Sequence, residues 1–152
     1  QKKLVKLYLN DVGLLTNILY GLNVNAVLQD IKSINLGTVY ESAVAQELAA
    51  HGFKLHYYDN KKKGEVDFLV DDLDNLTVLP IEIKSGKDYT DHSALTKFLK
   101  TPDYGINYAI VLSNEREIFR KNGVTYLPIY YSMFLHSEHR EVPVILPELE
   151  TI

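Results

Sequence analysis

The sequence predicts a mixed α/β domain, and three observations carry that reading. Apolar residues recur at helical spacing from about Leu36 to Ala50, with Leu36, Val39, Tyr40, Ala43, Val44 and Leu48 on one arc. The period then changes to that of strands over three runs, Phe53 to Asp59, Glu65 to Asp71 and Leu76 to Lys84. A short amphipathic helix around Leu95 to Leu99 follows, and then an apolar strand of the buried type at Tyr108 to Leu112. Helix, three strands, helix, strand is a layered order in which the second helix returns the chain to the sheet.

Each boundary has a local cause. His51-Gly52 ends the first core helix with a suitable C-cap. Lys61–Gly64 and Asp71–Asn75 read as turns. The second helix begins near Thr90 or Asp91 and stops around Thr101-Pro102, since proline disfavours helix in the residue before it. Gly123 to Leu127 reads as a further strand, and the Tyr130, Tyr131, Phe134 cluster after Pro128 as a last helical turn. Before the core, Leu4 to Leu9 is a short apolar run. Asn10-Asp11 caps a helix over Val12 to Leu19, and Gly21-Leu22-Asn23 breaks it. A second short helix is expected over Asn25 to Lys32. The expected organisation is an extension over 1–35, a core over 36–135 and an extended, proline-punctuated tail over 136–152.

The chain has 152 residues and 46% hydrophobic content, which suits one globular domain with a full core. It has no cysteine, which excludes disulfides and zinc–thiolate sites and fits a reducing, cytoplasmic setting. No apolar run approaches the roughly 18–20 residues of a membrane span, so no membrane partner is expected. The first residue is Gln1 and the single methionine is Met133, which points to a piece of a longer protein. A net charge of −4 argues against a generic basic nucleic-acid coat. It leaves room for a local basic face, because Lys54, Lys61–Lys63, Lys84, Lys87, Lys97 and Lys100 all fall in the central part.

Two acidic strings inside apolar strands carry the chemistry: Gly64-Glu65-Val66-Asp67 and Ile81-Glu82-Ile83-Lys84. Alternation puts Glu82 and Lys84 on one face and Ile81 and Ile83 on the other. The same rule groups Glu65 with Asp67, and Val66 with Phe68 and Val70. On neighbouring strands Asp67 and Glu82 converge with Lys84 beside them, a set able to hold Mg²⁺ against a phosphodiester. On the preceding helix Glu41 sits at the rim of the apolar arc, from which it can look into a cleft. Glu47 falls nearer the middle of the arc and close to the helix end. The bland alternative is the wet face of an antiparallel sheet, with Glu82 and Lys84 in cross-strand ion pairs.

An upstream helical glutamate, then Gly-Glu-Val-Asp, then Ile-Glu-Ile-Lys resembles the PD-(D/E)XK nuclease superfamily. That resemblance implies a restriction-endonuclease-like αβββαβ core, a mixed central sheet flanked by helices, here with an extra N-terminal helical segment. More closely, the chain resembles the domain of unknown function found C-terminal to prokaryotic AAA+-type ATPases. Matching stretches are Lys6 to Leu15, Tyr40 to Leu48, Gly64 to Leu69 and Pro80 to Lys87. The resemblance implies Asp67 and Glu82 as metal ligands, Glu41 as a further ligand directly or through water, and the Ile83 carbonyl as another. Lys84 would orient the attacking water or neutralise the phosphate. It also implies Mg²⁺ or Mn²⁺ as cofactor, DNA as substrate, and an N-terminal ATPase domain in the same chain as partner. The proline of the family's nominal Pro-Asp pair is Val66 here.

Other signals are weaker. Gly86-Lys87 lacks the upstream glycine of a phosphate loop. His136 and His139 lie three apart in the tail. Tyr57-Tyr58 and Tyr130-Tyr131 either stack on bases or pack in the core. Two function classes follow: a metal-dependent deoxyribonuclease, or a catalytically silent nucleic-acid- or protein-binding module of an ATPase. Leu4–Leu28, outside the minimal core, offers a regulatory or oligomerisation surface.

Overall fold

The computed structural model describes residues 6–21, 25, 28, 29 and 36–137. The expected helix over Asn25 to Lys32 and the tail beyond Ser137, His139 included, lie largely outside the described residues. Helix α1 is Val12–Tyr20, and the Asp11 carboxylate accepts from the Leu14 N–H at 2.8 Å, as an N-cap should. Helix α2 is Gly37–Ala50, followed by strands β1 (His56–Asn60), β2 (Gly64–Asp72) and β3 (Thr77–Lys84). Helix α3 (Ser93–Leu99) and a 3-10 turn (Pro102–Tyr104) lead to β4 (Ala109–Ser113), β5 (Phe119–Lys121) and β6 (Val124–Pro128). A second 3-10 turn, Ile129–Phe134, closes the described core. The mixed α/β expectation is met; β5 is the strand that the periodicity did not signal.

The six strands form one mixed sheet in the order β1-β2-β3-β4-β6-β5. β1, β2 and β3 form an antiparallel meander, and β4 and β6 run parallel to β3. Helix α2 covers one face, where Val44, Ala45 and Leu48 pack on Phe68, Val70, Ile81, Ile83 and Leu112. Helix α3 covers the other, where Leu95 and Phe98 pack on Val66, Ala109, Val111, Val124 and Tyr126. Fully burying each such aliphatic side chain contributes about 1.5–3 kcal/mol.

This division corrects one expectation. Val66 does not share a face with Phe68 and Val70. Tyr58 pairs with Val66 and His56 with Leu69, so Tyr57 alone stands opposite both Asp67 and Phe68. One extra residue in β2 is a β-bulge, and it resets the alternation. Val66 therefore points towards α3, and Phe68 and Val70 towards α2.

The Asn122-Gly123 turn between β5 and β6 has positive φ at both residues, 52° and 81°. That geometry suits a two-residue hairpin. A β-carbon on Gly123 would stand 2.3 Å from the Asn107 carbonyl oxygen, and the Gly123 carbonyl accepts from Ala109 N–H at 3.1 Å. Backbone packs on backbone here, so nothing flexible can give way. Gly123→Ala should lower stability by about 2 kcal/mol or more, through strain at positive φ plus the clash. Urea melts with an unchanged midpoint would contradict that packing.

Candidate active site at the β2–β3 split

Ladder pairing between β2 and β3 runs from Asp72–Thr77 to Phe68–Ile81. There the bulge turns β2 aside, and the Asp67 side chain enters the gap. Its Oδ2 accepts from the Ile83 N–H at 2.8 Å, in place of a backbone carbonyl. A strand residue sends its N–H and C=O to the same edge, so the Ile83 carbonyl also faces the β2 side. Glu82 and Lys84 project towards the α3 face, as alternation predicts, and the Lys84 ammonium lies 2.9 Å from Glu82 Oε1. Glu82 Oε2 is buried and has no hydrogen-bond partner among the described residues.

The electrostatics tie these groups together. Burial first, and then the charge of Asp67, push the Glu82 carboxyl up to about 7, against the opposing effect of Lys84. Burial raises Asp67 above the ordinary carboxylate range, with the Ile83 hydrogen bond, Lys6 and Lys84 pulling the other way. Glu41, half-buried on α2, is raised by burial and then by Asp67. Three carboxylates thus share one region and two ammonium groups offset them in part. Glu47 stands apart, 3.4 Å from His51 at the helix end.

Two residues of the site escaped the sequence reading. Lys6 forms an ion pair with Glu65, lies 4.0 Å from Asp67 Oδ1 and sits 5.4 Å from the centre of the Tyr57 ring. The Tyr8 ring packs on Phe68, and its buried hydroxyl has no partner among the described residues. Burial, and then Glu41 and Asp67, hold that phenol well above its usual value. Alternation was the available signal: Lys6 and Tyr8 turn inwards while Leu7 is 90% exposed.

The donor set fits a magnesium-like ion. Among the described residues no group of three or more His, Cys, Asp or Glu is gathered closely enough to hold a metal alone. Mg²⁺ does not demand one, because it binds through one or two carboxylates and keeps several waters. The groups that would face such an ion are the partnerless Glu82 Oε2, Asp67 and the Ile83 carbonyl, with Glu41 on the neighbouring helix. Of the remaining histidines, His136 packs against His51, with ring centres 4.3 Å apart and planes tilted by 35°.

Fold and site together define a mixed α/β domain with an acidic cluster where two central strands part. The chain belongs to the family described as a domain of unknown function (DUF4143), whose model matches residues 36–131. No curated protein and no solved structure matches the chain. Among the described residues no helix is long and apolar enough to cross a membrane.

A buried acid held protonated has a defined consequence for pH. A carboxyl whose folded pKa is raised stabilises the fold below its unfolded pKa, near 4.5, and that contribution is lost as pH rises through about 7. Without metal, Glu82→Gln should therefore melt several degrees above the parent at pH 8, with the gap closing near pH 5. A Glu82→Gln variant that melts lower than the parent at pH 8 would show the carboxylate to be a stabilising element instead.

Proposed function

We propose that this domain is a divalent-metal-dependent nuclease acting on DNA phosphodiesters, working beside an ATPase module of a longer chain. The observation that carries the reading is Glu82. It is a buried acid with a partnerless oxygen, raised to about 7 beside Asp67, at the break between two central strands. The order of Glu41, Asp67, Glu82 and Lys84 along the chain and their proximity in the fold are what the nuclease resemblance leads one to expect. The ATPase module and the choice of DNA rest on that resemblance.

Asp67, Glu82 and the Ile83 carbonyl would hold Mg²⁺ or Mn²⁺, which supplies Lewis acidity and a more acidic water. Lys84, fixed by Glu82 Oε1, places a cation where negative charge grows on the phosphoryl oxygens. The water oxygen forms the new P–O bond as the bond to the sugar oxygen breaks, and the leaving oxygen takes up a proton. Asp67 cannot swing freely, because the Ile83 N–H holds one of its oxygens. Positioning of this kind is a large part of phosphoryl-transfer catalysis.

The silent-module reading has one observation in its favour: the Lys84–Glu82 pair is closed, and no ready-made three-acid chelate stands among the described residues. Plasmid nicking with Mg²⁺ or Mn²⁺ separates the two. Asp67→Ala and Glu82→Ala should abolish nicking, and Lys84→Ala should lower its rate by about 10²–10³. A parent protein that never nicks under either metal favours the silent module, and nicking undiminished in all three variants assigns it to a contaminant.

A further inference from the structure

A cavity of about 600 Å³ opens on the α3 face between α3 and the β5–β6 hairpin. Lys100 and Lys121 line it, together with Asn107, Asn122, His92 and Tyr126. The chain carries 20 acids against 16 bases, yet none of the described residues lining this cavity is a carboxylate. Its chemistry therefore runs against the average of the molecule.

The walls are preformed. His92 Nε2 and the Tyr126 hydroxyl lie 2.6 Å apart, and Thr96 holds the other ring nitrogen at 3.2 Å. The Tyr126 ring stacks on Phe119, with 4.4 Å between centres and 13° between planes. On the opposite wall, Gly123 locks the hairpin turn against the Asn107 backbone. Burial keeps the His92 imidazole below its ordinary value.

The sheet sets where this cavity stands relative to the acidic cluster. Parallel register aligns Glu82 with Val111 and Val111 with Tyr126, so Glu82 and Tyr126 occupy one row on one face. Strands lie about 4.8 Å apart, which separates the two by roughly 10 Å. The Lys84 charge is felt at His92, whose ring bonds the Tyr126 hydroxyl. Glu82, Val111 and Tyr126 are all buried, so a strand joining the two places would run over the surface.

We propose that this cavity seats one nucleotide of the nucleic-acid strand whose phosphodiester is presented to Asp67, Glu82 and Lys84. The proposal rests on the nuclease reading for its substrate class and adds a second contact. Lys100 and Lys121 take the backbone phosphate. The Asn107 and Asn122 amides, each both donor and acceptor, meet the polar edge of the base. The volume lies within the range of ligand pockets and is far more than a bare phosphate fills.

The test is anisotropy of a fluorescein-labelled single-stranded oligonucleotide in chelator, comparing the parent protein with Lys100→Ala/Lys121→Ala over a range of salt. Both side chains are exposed, so the variant should fold, as circular dichroism will show. Roughly tenfold weaker binding, with a salt slope shallower by about 1.4, supports the proposal. Equal affinity and slope in both proteins overturns it. A deoxynucleoside monophosphate titrated by NMR separates strand from free nucleotide: saturation by the monophosphate without competition from the oligonucleotide also overturns the proposal. Binding that depends on the two lysines in a protein that never nicks DNA sustains the cavity and defeats the catalytic reading alone.

Discussion

One hydrogen bond organises the molecule's polar interior: the Ile83 N–H donated to the Asp67 carboxylate. It exists because β2 carries one residue too many opposite Tyr57, so the ladder with β3 cannot continue past Phe68. A buried N–H left unpaired costs about 1–3 kcal/mol, and the carboxylate supplies the missing acceptor. In doing so it commits an acid to the centre of the sheet. Bulges are concentrated next to active sites because they re-aim a side chain in this way.

Everything nearby answers that commitment. Glu82 is forced towards its protonated form, Glu41 is raised, and the Tyr8 phenol resists ionisation, in each case by burial and then by neighbouring negative charge. Lys6 and Lys84 offset the acids without cancelling them. A protein selected for stability alone would gain by replacing such groups with apolar ones of the same shape. On the proposed reading these groups give up stability for chemistry. The hydrophobic layers supplied by α2 and α3 hold the arrangement rigid on both faces.

Much of this was legible in the residue order. The helix over Gly37–Ala50 shows in the spacing of Val39, Val44 and Leu48, and the alternation of Ile81-Glu82-Ile83-Lys84 gives the faces of β3 correctly. The faces of β2 were not legible, because a bulge is a property of pairing and leaves no period in one strand. The three-residue β5 was missed for want of length, since Phe119-Arg120-Lys121 cannot show alternation. Alternation around the exposed Leu7 marks Lys6 and Tyr8 as inward-facing, but the partner they turn to, Asp67, is set by the fold. The basic cavity gathers Lys100, Asn107 and Lys121 from separate elements, and nothing local marks them as neighbours.

The central claim is that the surroundings of Glu82 raise its carboxyl to about 7, and that a divalent ion would compete with its proton. Carboxyl-carbon NMR of the parent protein, titrated with pH in chelator and again with Mg²⁺, reads this directly. The account predicts an apparent pKa near 7 without metal, falling well below that when Mg²⁺ is added. A Glu82 carboxyl that titrates near 4.5 in chelator, or one whose raised value ignores Mg²⁺, would contradict it.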